Sequence, residues 1–85
     1  MRLTKQTNYA IRIMMYCATN DGLLSQVQDI AKAYGVSDTF MFKILQPLVK
    51  GGFIDSVRGR NGGIKLATPA GEITLLDIVK TTEDQ

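Results

Sequence analysis

The chain contains no histidine and no tryptophan, a single cysteine at Cys17, and only two prolines, Pro47 and Pro69. Each scarcity removes a class of chemistry. A zinc site draws on several Cys and His ligands, and a Cys–His or Ser–His nucleophile pair needs an imidazole base, so both are excluded within these residues. One cysteine makes an intramolecular disulfide impossible, which suits a reducing cytoplasm. Long apolar runs are missing too. The longest is Ile13–Ala18, far short of the roughly 20 residues that cross a bilayer. Arg2 and Lys5 lead straight into a patterned amphipathic segment with no cleavage site, so no signal peptide is expected. An enzyme, a membrane partner and a secreted scaffold are all disfavoured, and a cytoplasmic protein is expected.

What remains is an 85-residue chain, 45% apolar, with a net charge of +2. At this length one domain is expected, burying about 60% of the surface its unfolded chain exposes. The small net charge hides an asymmetry. Arg2, Lys5 and Arg12 stand without an acid in residues 1–20, and Lys43, Lys50, Arg58, Arg60 and Lys65 face only Asp55 in residues 40–65. By contrast Glu72, Asp77, Glu83 and Asp84 outweigh Lys80 at the C-terminal end. A basic body with an acidic tail fits a polyanionic partner better than uniform solubilising charge.

Hydrophobic periodicity supplies the elements. Ala10, Ile13, Met14 and Cys17 recur at i, i+3, i+4 and i+7, predicting a core-facing helix from about Lys5 to Thr19 capped by Thr4. A second apolar row, Ile11, Met15 and Ala18, lies beside the first and predicts a surface covered by a partner. Ser25 with Gln28 has capping-box spacing before a short helix burying Val27, Ile30, Ala31 and Tyr34, closed by Gly35. Ser37 then caps a third helix whose stripe is Met41, Ile44, Leu45 and Leu48. Pro47 inside it removes one backbone bond and predicts a bend near residue 43. Phe53–Val57 and Ile64–Leu66 flank the Gly- and Asn-rich stretch 58–63, the pattern of a hairpin with an extended tip. Thr74 with Asp77 opens a last helix expected to bury Leu75, Ile78 and Val79. Two short helices around a tight glycine turn, then a hairpin and a helix, make a mainly α winged helix-turn-helix DNA-binding domain with a small β-hairpin, spanning residues 1–85.

The chemistry of the surface follows from that order. The third helix leaves Thr39, Phe40, Phe42 and Lys43 off its buried stripe, and such a helix fits the major groove of double-stranded DNA. Thr39 and Lys43 can bond a base or phosphate, and an apolar ring can meet a thymine methyl. Phe40 and Phe42 flank Met41, so both cannot enter one core and one is expected to be exposed. The hairpin tip sets Arg58 and Arg60 one residue apart, with Gly59, Asn61 and Gly62 letting backbone approach a phosphate or the minor groove. Arg2 and Lys5 sit at the positive end of the first helix. Two rival readings remain at this level: a winged helix that presents its basic face to an acidic protein, and an enzyme using Cys17, which lacks any base.

Met1-Arg2-Leu3-Thr4, Tyr9-Ala10, Gly35-Val36-Ser37, and above all Val57-Arg58-Gly59 with Gly62-Gly63 and Leu66 resemble the IscR/NsrR/RirA family of iron–sulfur winged-helix regulators. Thr4–Ala10 and Lys43–Leu48 are most similar to its rhizobial iron-regulator branch, that of RirA. The resemblance implies a repressor of iron-responsive genes that binds a pseudo-palindromic operator as a homodimer. It implies helix three, with Ser37 at its start, in the major groove and the wing in the minor groove. It further implies an iron–sulfur cluster held by three cysteines beyond residue 85, and a long C-terminal dimerisation helix, neither present here. That helix would cover the second apolar row. Asn8 stands where some relatives supply an aspartate to the cluster, so no carboxylate ligand is expected from this position.

Overall fold

The first helix forms where its apolar stripe and its cap agree. In the computed structural model, which describes residues 4–20, 22–59 and 62–83, α1 runs Lys5–Thr19 and buries Thr7, Ala10, Ile13, Met14 and Cys17. The Thr4 hydroxyl accepts the Thr7 N–H at 3.2 Å, satisfying one orphan donor of the first turn. Helix α2 spans Val27–Tyr34 and ends on Gly35 in the left-handed conformation, φ 68°, which glycine enters without steric cost. Two residues later Ser37 caps α3, Asp38–Lys50, by accepting the Phe40 N–H at 3.1 Å. The chain thus turns between α2 and α3 with both helix ends satisfied.

Helix α3 buries Met41, Ile44, Leu45 and Leu48, the stripe its spacing predicts. It continues through Pro47 to Lys50. The proline removes one donor, but its own carbonyl still accepts the Gly51 N–H at 2.8 Å, and burial of Leu48 holds the last turn against the core. Strands β1, Ile54–Val57, and β2, Gly63–Leu66, pair antiparallel with Ile54 opposite Leu66 and Val57 opposite Gly63. A single 3₁₀ turn, Ala70–Glu72, leads to α4, Leu75–Glu83. The Thr74–Asp77 box is formed: the Thr74 N–H reaches Asp77 Oδ2 at 3.1 Å and the Asp77 N–H reaches the Thr74 hydroxyl at 3.0 Å.

Two expectations are corrected. Ser25 does not cap α2. It is buried in extended backbone, and its N–H and carbonyl exchange 2.8 Å bonds with the carbonyl and N–H of Ile64. A residue committed to a strand-like pair cannot also fold over a helix end, and Gln26 takes the N-cap position with no side-chain bond to the helix. Leu75 is not buried but 61% exposed, and α4 instead packs Ile78, Val79 and Thr82 inward.

The core collects Ala10, Ile13, Met41, Ile44, Leu48, Ile54 and Ile64 from helices and hairpin alike. Two of its buried polar residues, Thr7 and Thr82, join the exposed Thr4 in one relay. Thr4 Oγ1 donates to Thr7 Oγ1, Thr7 to Thr82 at 2.7 Å, and Thr82 to the Ile78 carbonyl at 2.8 Å, so each hydroxyl gives its proton once. The Thr4 N–H also donates to Glu83 Oε1 at 3.0 Å. The last turn of α4 is therefore bound to the first turn of α1. Alongside them the second apolar row opens an apolar groove of about 210 Å³, lined by Ile11, Met15, Ala18, Leu66, Ile73 and Leu75. Met15, 63% exposed, stands at its rim.

Candidate nucleic-acid interface

Opposite the buried stripe of α3 lies an exposed one with the same helical spacing: Thr39, Phe42, Lys43 and Gln46, at i, i+3, i+4 and i+7. Burial of Met41, Ile44, Leu45 and Leu48 fixes the rotation of the helix and so points this second stripe outward. Phe42 is the exposed phenylalanine. Phe40 takes the packing role instead. Its ring sits edge-on to Tyr9, centroids 5.4 Å apart, and against the core. Of the two flanking rings, the one expected to be exposed is thus Phe42, while Phe40 is half-buried.

The wing stands beside this stripe. Gln26, Gln28, Phe42, Gln46, Lys50, Val57 and Arg58 line a cleft of about 780 Å³ between α3, the start of α2 and the hairpin. The sequence-predicted Arg58 and Phe42 are thus brought to one site, with Lys43 a helical neighbour of Gln46. Gly59 is exposed at the turn. Gly62 is buried: its N–H donates to the Gly59 carbonyl at 3.0 Å and its own carbonyl accepts from Gln26 Nε2. A Cβ at this position would collide with the Val57 carbonyl. Both its polar groups are thus spent within the protein, the carbonyl on Gln26 outside the hairpin, while the residue itself lines the same cleft as Phe42 and Arg58. Arg2, Arg60 and Asn61 lie outside the described residues.

Lys5 belongs to the same region. Its Nζ lies 5.2 Å from the centroid of the Phe40 ring, which sets a cation of α1 beside the first turn of α3. Arg12, two turns along α1, stacks over Tyr9 and Tyr34 at 5.3 and 5.9 Å, and Tyr34 donates its hydroxyl to the Arg12 carbonyl at 3.1 Å. Sequence reasoning missed Gln26, Gln28 and Val49 as cleft residues. No local signal marks Gln26 and Gln28, because they reach the cleft only once the Ser25–Ile64 pair has drawn the start of α2 against the wing, whereas Val49 lies on the outward face of α3 itself.

The arrangement offers hydrogen-bond donors, cations and exposed backbone, not a reaction centre. Burial pushes the Cys17 thiol up to about 11, so it stays protonated and unreactive at neutral pH. Among the described residues no group of three or more Cys, His, Asp or Glu is placed to hold a metal. Cys17 sits in the core, and the described residues do not fit an iron–sulfur cluster. Among the described residues no helix is long and apolar enough to cross a membrane.

A helix-turn-helix followed by a hairpin wing, with cations on both, defines a winged-helix DNA-binding domain of a transcriptional regulator. Comparison with known proteins agrees. Residues 3–85 match the Rrf2 family, described as iron-dependent transcriptional regulators, and the chain belongs to that family of regulators, not enzymes. It is 64% identical over 84 residues to Protein aau3 of Rhizobium meliloti strain 1021, covering 99% of this chain and 54% of the relative; it thus spans about half the length of that protein. Among solved structures it is similar to CymR, the global cysteine regulator of B. subtilis, with a TM-score of 0.94 and 26% identity over 100% of this chain and 67% of the other. It is likewise similar to T. potens IscR, with a TM-score of 0.87 and 26% identity over 96% of this chain and 61% of the other.

Proposed function

We propose that this domain reads an operator for a repressor of iron-responsive genes, with α3 in the major groove and the wing in the adjacent minor groove. The observation that carries the reading is the shared cleft. Arg58 of the wing, Lys50 and Gln46 of α3, and Gln28 of α2 face one space, and Thr39 and Lys43 continue the same helix face. Thr39 and Lys43 supply donors to bases or phosphate, Arg58 and the exposed Gly59 supply the wing contact, and Lys5 and Ser37 flank the start of α3. Arg2, Arg60 and Asn61 are assigned the same role from the sequence.

The family description and the likeness to IscR support an iron-linked signal, and the Rrf2 members compared above are longer than this chain. We infer that the operator is a pseudo-palindrome held by a homodimer. We also infer that the iron–sulfur cluster is bound by a segment outside these residues, since Cys17 is unsuited to it. The dimerisation helix of such a segment would cover the groove between α1 and α4, consistent with the 63% exposure of Met15.

Fluorescence anisotropy on duplex DNA across a salt series tests the surface. Lys43→Ala and Arg58→Ala should each weaken binding and lower the slope of log affinity against log salt by about 1, as expected for one lost phosphate contact. Unchanged affinity and slope in both variants would reject the interface.

A further inference from the structure

We propose that Phe42 is a specificity-determining residue whose ring contacts the 5-methyl group of a thymine in the major groove; the inference rests on the DNA-binding reading above. Phe42 is 56% exposed in the second turn of α3. Its immediate neighbours on the outward stripe, Thr39, Lys43 and Gln46, all carry donors, and the next exposed apolar side chain on that face, Val49, stands two turns further along α3. An aromatic ring held in water between polar groups gains free energy only when a partner covers it. The rotation of α3 is fixed by four buried residues, so the ring cannot retreat into the core without unseating them. Phe40 already occupies the inward aromatic position against Tyr9.

The major groove narrows the choice of partner. Guanine, adenine and cytosine present acceptors and donors on that edge, and a phenyl ring has neither to offer. Thymine alone adds an apolar group, its C5 methyl. A ring at this position therefore favours a T·A pair through burial of one methyl, while Lys43 beside it is free to engage guanine or a phosphate. The discrimination is against the same pair lacking that methyl, and deoxyuridine supplies it without any change in hydrogen bonding.

The experiment begins with a random-sequence duplex library selected on the intact protein. Enriched duplexes are then made with single thymine-to-deoxyuridine replacements, and their binding is read by fluorescence anisotropy for wild type, Phe42→Ala and Phe42→Gln. Thermal melts verify that each variant is folded. At one position in each half-site, loss of the methyl should weaken wild-type binding about fourfold, the loss expected when one methyl leaves an apolar contact. The variants should bind the thymine and deoxyuridine duplexes alike. Equal wild-type affinity for both duplexes at every position, or full discrimination retained by a folded variant, would overturn the inference while leaving the DNA reading intact. Failure to enrich any duplex would remove the DNA reading, and this inference with it.

Discussion

Single residues in this domain divide sharply into those whose role is written in their neighbours and those whose role is set by distant chain. Cys17 is of the first kind: its place in the stripe of α1 predicts burial, and its thiol is held up at about 11 by desolvation. It should therefore react with a thiol reagent at neutral pH only through unfolding, with labelling restored by denaturant. Fast labelling in the native state would contradict the buried placement. Asp77 is held below the ordinary carboxylate range, first by the Thr74 backbone N–H and then by the Thr74 side chain. Because the folded state favours the charged form, its capping contribution is complete above the ordinary aspartate range and disappears as pH falls through the lowered value. Asp77→Asn should accordingly flatten the acid limb of a stability-versus-pH curve from thermal melts. Thr82 is of the second kind. No local pattern announces a buried partner 75 residues away, and Thr82→Val should cost about 1 kcal/mol by removing the acceptor of the Thr7 hydroxyl proton, which keeps only its bond with Thr4.

At the scale of elements, the helices were readable because period and caps coincide. The ends of α1, the Ser37 cap and the Thr74–Asp77 box all follow from residues within a few positions of one another. Ser37→Ala should destabilise the domain by about 1 kcal/mol in chemical denaturation and weaken DNA binding further, because α3 begins there. The start of α2 misled for an opposite reason. Ser25 has the spacing of a cap, but its backbone is claimed by Ile64, a long-range competitor that local spacing cannot reveal. The wing shows the same limit. Its glycines suggest an open, phosphate-facing loop, yet Gly62 faces inward against Val57. Gly62→Ala should cost roughly 1–3 kcal/mol through forced rearrangement of the hairpin. It should also lower DNA affinity as much as loss of Arg58 does.

For the whole molecule, the basic character of the surface was legible from charge counts, but its assembly into one face was not. Arg58 and Lys50 meet across a cleft only because α2, α3 and the hairpin close around Ile54 and Ile64. The apolar excess of α1 was legible as a surface in want of a cover, and the groove beside α4 is where that excess emerges. On the proposed architecture, Met15→Glu should change the stability of the isolated domain by no more than about 0.5 kcal/mol, as for other exposed positions. The same change should shift the intact protein toward monomer in sedimentation velocity. An unaltered dimer would place the subunit contact elsewhere. The pair of bonds between Ser25 and Ile64 has a further consequence for the duplex. It ties the segment before α2 to the second strand of the wing, so on the proposed docking the wing is held to the helix-turn-helix before any DNA arrives. A wing tethered in this way resists moving to suit a sequence, so on the same docking the duplex should twist or narrow to meet helix and wing at once. Base pairs lying untouched between them then influence affinity through their stiffness alone.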